Sequence, residues 1–119
     1  MTQIWTKRAY AEAHANDGTR ILVDRVWPRG VSKAALDIAA CEKDVAPSKD
    51  LRQWFDHDPG KWDEFRDAYF AELDKRRDAV ERIAGQVREG RVTLIYGAKD
   101  ERHNNAVALK DYLERRSVT

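Results

Sequence analysis

The 119-residue chain is poor in cysteine: Cys41 stands alone. A single thiol excludes an intrachain disulfide framework and any cysteine cage for zinc or an iron–sulfur cluster. No apolar run approaches the ~20 residues that span a bilayer, and the N-terminus lacks the apolar core of a signal peptide. A cytoplasmic protein without a membrane partner is therefore expected. Neither charge sign dominates. The 22 Lys and Arg face 21 Asp and Glu, for a net charge of +1, so no global field draws the chain toward nucleic acid. Internal repeats, low-complexity tracts and Ser/Pro-rich linkers are missing, which points to one domain over residues 1–119. The glycine pattern of a P-loop and the Gly-x-Ser-x-Gly elbow are missing too, and no motif calls for a cofactor.

What is present alternates between strand and helix. Ile21-Leu22-Val23-Asp24-Arg25-Val26-Trp27 is rich in β-formers and stops at Pro28. Val92-Thr93-Leu94-Ile95-Tyr96, between Gly90 and Gly97, has the continuous apolar character of a central strand covered on both faces. A weaker strand runs from Gln3 to Arg8, and Asn16-Asp17-Gly18 marks a turn. Ser48 and Asp58-Pro59 fit helix starts. Trp62, Phe65, Tyr69 and Leu73 form one helical stripe, and Val80, Ile83 and Val87 form another. The change of phase near residues 74–78 predicts two helices or a kink, closed by Gly90 as a left-handed cap. A last helix begins near Asn104 and carries Val107, Leu109 and Leu113. The expected fold is α/β: a single compact domain with a small, mostly parallel sheet flanked by helices in Rossmann-like layering.

In such sheets ligands bind beyond the carboxyl ends of the strands, which directs attention to two loops. The first runs from Asp24 to Lys33. Arg20, Arg25, Arg29 and Lys33 bring four cations into fourteen positions against Asp24 alone. Guanidinium forks beside the Trp27 indole suit an anion, and Gly30 permits a close backbone approach. The plainer account is a structural ion pair of Asp24 with Arg25 or Arg29, with Trp27 in the core. The second loop runs from Gly97 to Asn105, between a buried strand and a helix N-terminus. Asp100 stands where it can orient His103 as a general base, Lys99 adds charge, and Asn104 or Asn105 can cap the helix or donate to an oxyanion. The plainer account here is ordinary capping and a solvated histidine.

Other features weigh less. His57, between Asp56 and Asp58, has only His103 as an imidazole partner, so a structural role outweighs a metal site. Cys41 lies in an alanine-rich stretch and reads as a buried, inert thiol; Ser48 reads as an N-cap rather than a nucleophile. A DNA-reading helix is disfavoured because residues 60–75 hold five acids against three bases.

Three segments together carry a resemblance. They are Val23-Asp24-Arg25-Val26-Trp27-Pro28-Arg29-Gly30-Val31-Ser32-Lys33; Ala46-Pro47-Ser48 with Leu51-Arg52-Gln53-Trp54-Phe55-Asp56-His57; and Leu94-Ile95-Tyr96-Gly97-Ala98-Lys99-Asp100 with His103-Asn104. They resemble the YeaO-like branch of the domain-of-unknown-function 488 (DUF488) family. The resemblance runs nearly end to end and implies a bacterial or archaeal cytosolic α/β protein with no settled activity. Other branches of that family resemble Cys-Ala-Glu followed by Cys-His-Arg after the last strand. This chain has Gly97-Ala98-Lys99 and His103-Asn104-Asn105 there, so thiol or metal chemistry does not carry over.

The expected function is binding of a small anionic metabolite, with turnover open, where the two loops meet. Arg25 and Arg29 would clamp the anion, Trp27 would wall it, and Gly30, Lys33, Lys99 and Asn104 would complete the pocket. Asp100 and His103 would supply acid–base chemistry. The alternative is a regulatory module that touches nucleic acid or protein through the basic loop at residues 25–33.

Overall fold

The computed structural model describes residues 3–118, with side chains to Arg116. Four parallel strands form one sheet: β1 (Ile4–Arg8), β2 (Thr19–Leu22), β3 (Ala40–Cys41) and β4 (Val92–Tyr96), in the order β1-β4-β2-β3. Between β2 and β4 run α1 (Lys33–Leu36), α2 (Lys49–Phe55), α3 (Trp62–Asp74) and α4 (Arg77–Glu89), and α5 (Asn105–Val118) follows β4.

The register places Ile4 beside Val92 and Ile21 beside Leu94, so strand side chains alternate between two unequal layers. Ile4, Ile21, Val23, Val92, Leu94 and Tyr96 face the larger layer and bury the apolar stripes of α2 to α5. An aromatic stack runs through it, with Phe55 and Phe65 centroids 4.4 Å apart and Phe65 and Tyr69 5.8 Å apart. The opposite face is thinner: Ala9, Leu22, Leu36 and Ile95 form a small cluster beneath α1 and the connecting loops. Beside it lies a buried ionic knot in which Asp17 Oδ2 accepts from Arg20 Nη1 at 2.6 Å.

Several sequence expectations are corrected. β2 ends at Leu22, not Trp27; the Val23 amide still donates to the Ile95 carbonyl, and Asp24 then leaves the sheet. Trp27 is 41% exposed rather than in the core, its indole Nε1 satisfied by the Val31 carbonyl at 2.8 Å. Cys41 is exposed on the short edge strand β3. Gly90 ends α4 in an extended conformation, not a left-handed one. Ser48 does cap α2, its Oγ accepting from Leu51 N while donating to Glu72 Oε2 at 2.6 Å. Asp58 caps a short 3-10 turn, Pro59–Lys61, that runs into α3.

Candidate functional site

The carboxyl ends of β2 and β4 open into a cleft of about 560 Å³. Its floor comes from Asp24 and from Gly97 and Ala98; one wall comes from residues 103–105 at the start of α5; the facing wall is α2 and the segment before it, from Ala46 to His57. Three long-range contacts build this arrangement. Arg8 Nε donates to the Ala98 carbonyl at 2.9 Å and ties the loop after β4 to β1. The buried Tyr69 hydroxyl donates to the Val45 carbonyl, and Arg76 Nη1 donates to the carbonyls of Asp44 and Ala46, which together pin the facing wall to α3 and its C-terminal end.

Asp24 is held rather than free. Its Oδ2 accepts from the Gly97 amide at 2.8 Å and its Oδ1 from Asn105 Nδ2 at 3.0 Å, and that same amide donates to the Val23 carbonyl. Burial pushes its carboxyl above the usual range, outweighing the hydrogen bonds from Asn105 and Gly97 and the positive charge of Arg52. An ion pair with Arg25 or Arg29 is not what holds it.

His103 lies on the wall, its Nδ1 3.0 Å from Asp100 Oδ2 and its ring edge against Trp62 at 5.4 Å between centroids. Asp100 Oδ1 also accepts from the amides of Arg102 and His103. These bonds, led by the Arg102 amide and the His103 ring, hold the Asp100 carboxyl below the usual range. Nε2 is left as the ring nitrogen for a ligand.

Of the residues expected from sequence, the cleft gathers Arg25, His103 and Asn104. Asn104 serves the helix: its Oδ1 accepts from Val107 N at 3.0 Å and its Nδ2 donates to the Asp100 carbonyl at 2.9 Å. Asp100 sits behind His103, and exposed Lys99 lies outside the lining. Trp27, Arg29 and Gly30, on an exposed loop secured where Tyr10 Oη donates to the Arg29 carbonyl, and Lys33, at the start of α1, also lie outside it. In their place the fold supplies Lys49, Arg52 and His57 from α2 and its end. Asp56 and His57 both adopt left-handed backbone, at φ 46° and 56°, unusual for non-glycine residues. Arg25, Lys49 and Arg52 form no salt bridge with another described residue. No thiol or hydroxyl side chain lines the cleft among the described residues, and among them no three His, Cys, Asp or Glu groups converge to hold a metal.

A parallel α/β protein with a cation-rimmed cleft at its sheet edge is the class this geometry defines. A family model described as the inactive DUF488-N3 subclade matches residues 3–118. The chain is 39% identical over 110 residues to the uncharacterized protein YeaO of Escherichia coli K12, covering 92% of this chain and 96% of that protein. It is 44% identical over 72 residues to an uncharacterized protein of Mycobacterium tuberculosis H37Rv and to one of Mycobacterium bovis, covering 60% of this chain and 61% of each. No solved structure matches. The chain belongs to the DUF488 family as a YeaO-like member.

Proposed function

We propose that this protein binds a small anionic metabolite in the cleft at the sheet edge and holds it without covalent chemistry. The observation that carries this is the set of three cations, Arg25, Lys49 and Arg52, lining one cleft without salt-bridge partners among the described residues. Guanidinium and ammonium groups free of salt bridges favour phosphate or carboxylate around a concave site that they share with Asp24 and Asp56, and the start of α5 adds the positive end of its dipole. Two further facts favour holding over turnover. Among the described residues the lining offers no thiol or hydroxyl nucleophile, and Gly97 stands where the family resemblance implies a cysteine in other branches. The matched subclade is itself described as inactive. His103 then serves as a hydrogen-bonding wall beside the cations.

The test is a thermal-shift and calorimetric screen of wild type and Arg52→Gln against phosphates and carboxylates. A ligand at ~100 times its Kd adds ~2.7 kcal/mol to wild type. Arg52→Gln, an exposed position, should fold normally and bind about tenfold more weakly, a loss of ~1.4 kcal/mol. Saturable anion binding unchanged by Arg52→Gln and Arg25→Gln would sink the proposal. Unchanged affinity in His103→Gln would place that residue outside the contact set.

A second reading has one observation in its favour. Val26 and Trp27 are 66% and 41% exposed on the same loop as Arg25 and Arg29, just before Lys33 opens α1, a surface suited to a nucleic acid or protein partner. It predicts affinity for a polyanion that falls steeply with salt, which a small-anion cleft does not require.

A further inference from the structure

Asp24 puts a carboxylate into the floor of a cleft whose rim is cationic. The proposed anion site does not use it, yet it is firmly placed there by two hydrogen bonds. Asn105 Nδ2 fixes one oxygen and the Gly97 amide the other. A carboxylate oxygen accepts two hydrogen bonds, so each retains capacity for one more. Arg52 lends charge to Asp24 without bonding to it. Glycine at 97 keeps this floor open: a Cβ there would lie 3.2 Å from Asp24 Oδ2.

A bare oxyanion seated against an ionised carboxylate is repelled, and a hydrocarbon there strands a polar group. A hydroxyl or ammonium donates to it. We infer that the cleft selects small oxyanions that also carry a hydrogen-bond donor, with the oxyanion on Arg25, Lys49 and Arg52 and the donor on Asp24. This rests on the anion-binding reading. It narrows the ligand class from any small phosphate or carboxylate to hydroxylated or amino-bearing ones, and it makes Asp24 a specificity residue rather than a structural one.

The experiment compares phosphoethanolamine and 2-hydroxyethyl phosphate with propyl phosphate, which has nearly the same size and no donor at its far end. Calorimetry on the wild-type chain should show the two donor-bearing phosphates binding at least tenfold more tightly than propyl phosphate. The Gly97 amide resonance, bonded to Asp24, should move more with them. In Asp24→Asn the preference should shrink to within about twofold. If none of the three phosphates binds, the anion site and this inference fall together. If all three bind wild type equally, anion binding stands and the inference is overturned. A preference that survives in folded Asp24→Asn also overturns it. Should Asp24→Asn fail to fold, the wild-type ratios and the Gly97 resonance decide alone.

Discussion

Replacing Asp17 by alanine should be among the most damaging single changes in this protein, although Asp17 lies far from the cleft. The carboxylate is 2% exposed and accepts from Arg20 Nη1 at 2.6 Å, from Lys7 Nζ at 2.9 and 3.0 Å, and from the His14 amide at 3.0 Å. Arg20 is 4% exposed, and its Nε and Nη2 are committed to the Leu36 carbonyl at 3.0 and 2.8 Å. Truncating Asp17 therefore strands a buried guanidinium charge, at about 3–5 kcal/mol. Lys7, with 26% of its side chain exposed, can turn to water and adds little to that figure. At roughly 4 °C per kcal/mol for a domain of this size, Tm should fall by roughly 12–20 °C. Scanning calorimetry and urea unfolding at pH 7 measure this. Arg20→Met and the double variant complete a cycle in which the double variant should be more stable than Asp17→Ala alone. A loss below about 1 kcal/mol, or simple additivity, would refute the buried-pair reasoning. Acidity supplies a further check. Burial pushes Asp17 upward, but hydrogen bonds from Lys7, the His14 amide and Arg20, with the Lys7 charge, outweigh it, so the folded carboxyl lies below the usual range. Its stabilisation is complete above the usual carboxylate range near pH 4 and is lost as pH falls through the lowered folded value. The deficit of Asp17→Ala should shrink accordingly in acid.

Asp24 should give the opposite slope, because burial holds its folded carboxyl above the usual range. From about pH 4 up to that raised value, its contribution should fall as pH rises, and acid titration of Asp24→Asn should lack that component. Ser48→Ala should cost about 1–2 kcal/mol in urea unfolding, since it removes the cap on Leu51 N and the hydroxyl bond to Glu72. Gly18→Ala should cost at least ~2 kcal/mol in thermal unfolding: φ is +67°, and the new Cβ would press on the Arg91 carbonyl oxygen.

Much of the fold is legible in the residues because it is local. The Val92–Tyr96 run between two glycines is a central strand, and the phase change after Leu73 does separate two helices. β2 stops at Leu22 although Val26 and Trp27 have strand propensity, and the indole meets its bonding need four residues on, at the Val31 carbonyl. α1 and β3 are too short to show a period. The site is half legible for a related reason. The Asp100–His103 pair lies within one turn, whereas Asp24 finds Gly97 and Asn105 more than seventy residues away. Arg52 and Lys49 look like an ordinary solvated helix face until α2 is set beside the strand ends. The Ala46-Pro47-Ser48 and Arg52 to His57 segments, quoted above for the family resemblance, were the one signal pointing to that wall.

The position of β4 has a consequence for how the chain is made. It lies between β1 and β2, so the first two strands to leave the ribosome have no partner in each other. Both must wait for residues 92–96. Until then only β2 and the two-residue β3 can pair, and β1 has no strand beside it. Assembly of the sheet thus waits for residues 92–96, and a nascent chain stalled before residue 92 would expose aggregation-prone strand edges to chaperones and proteases.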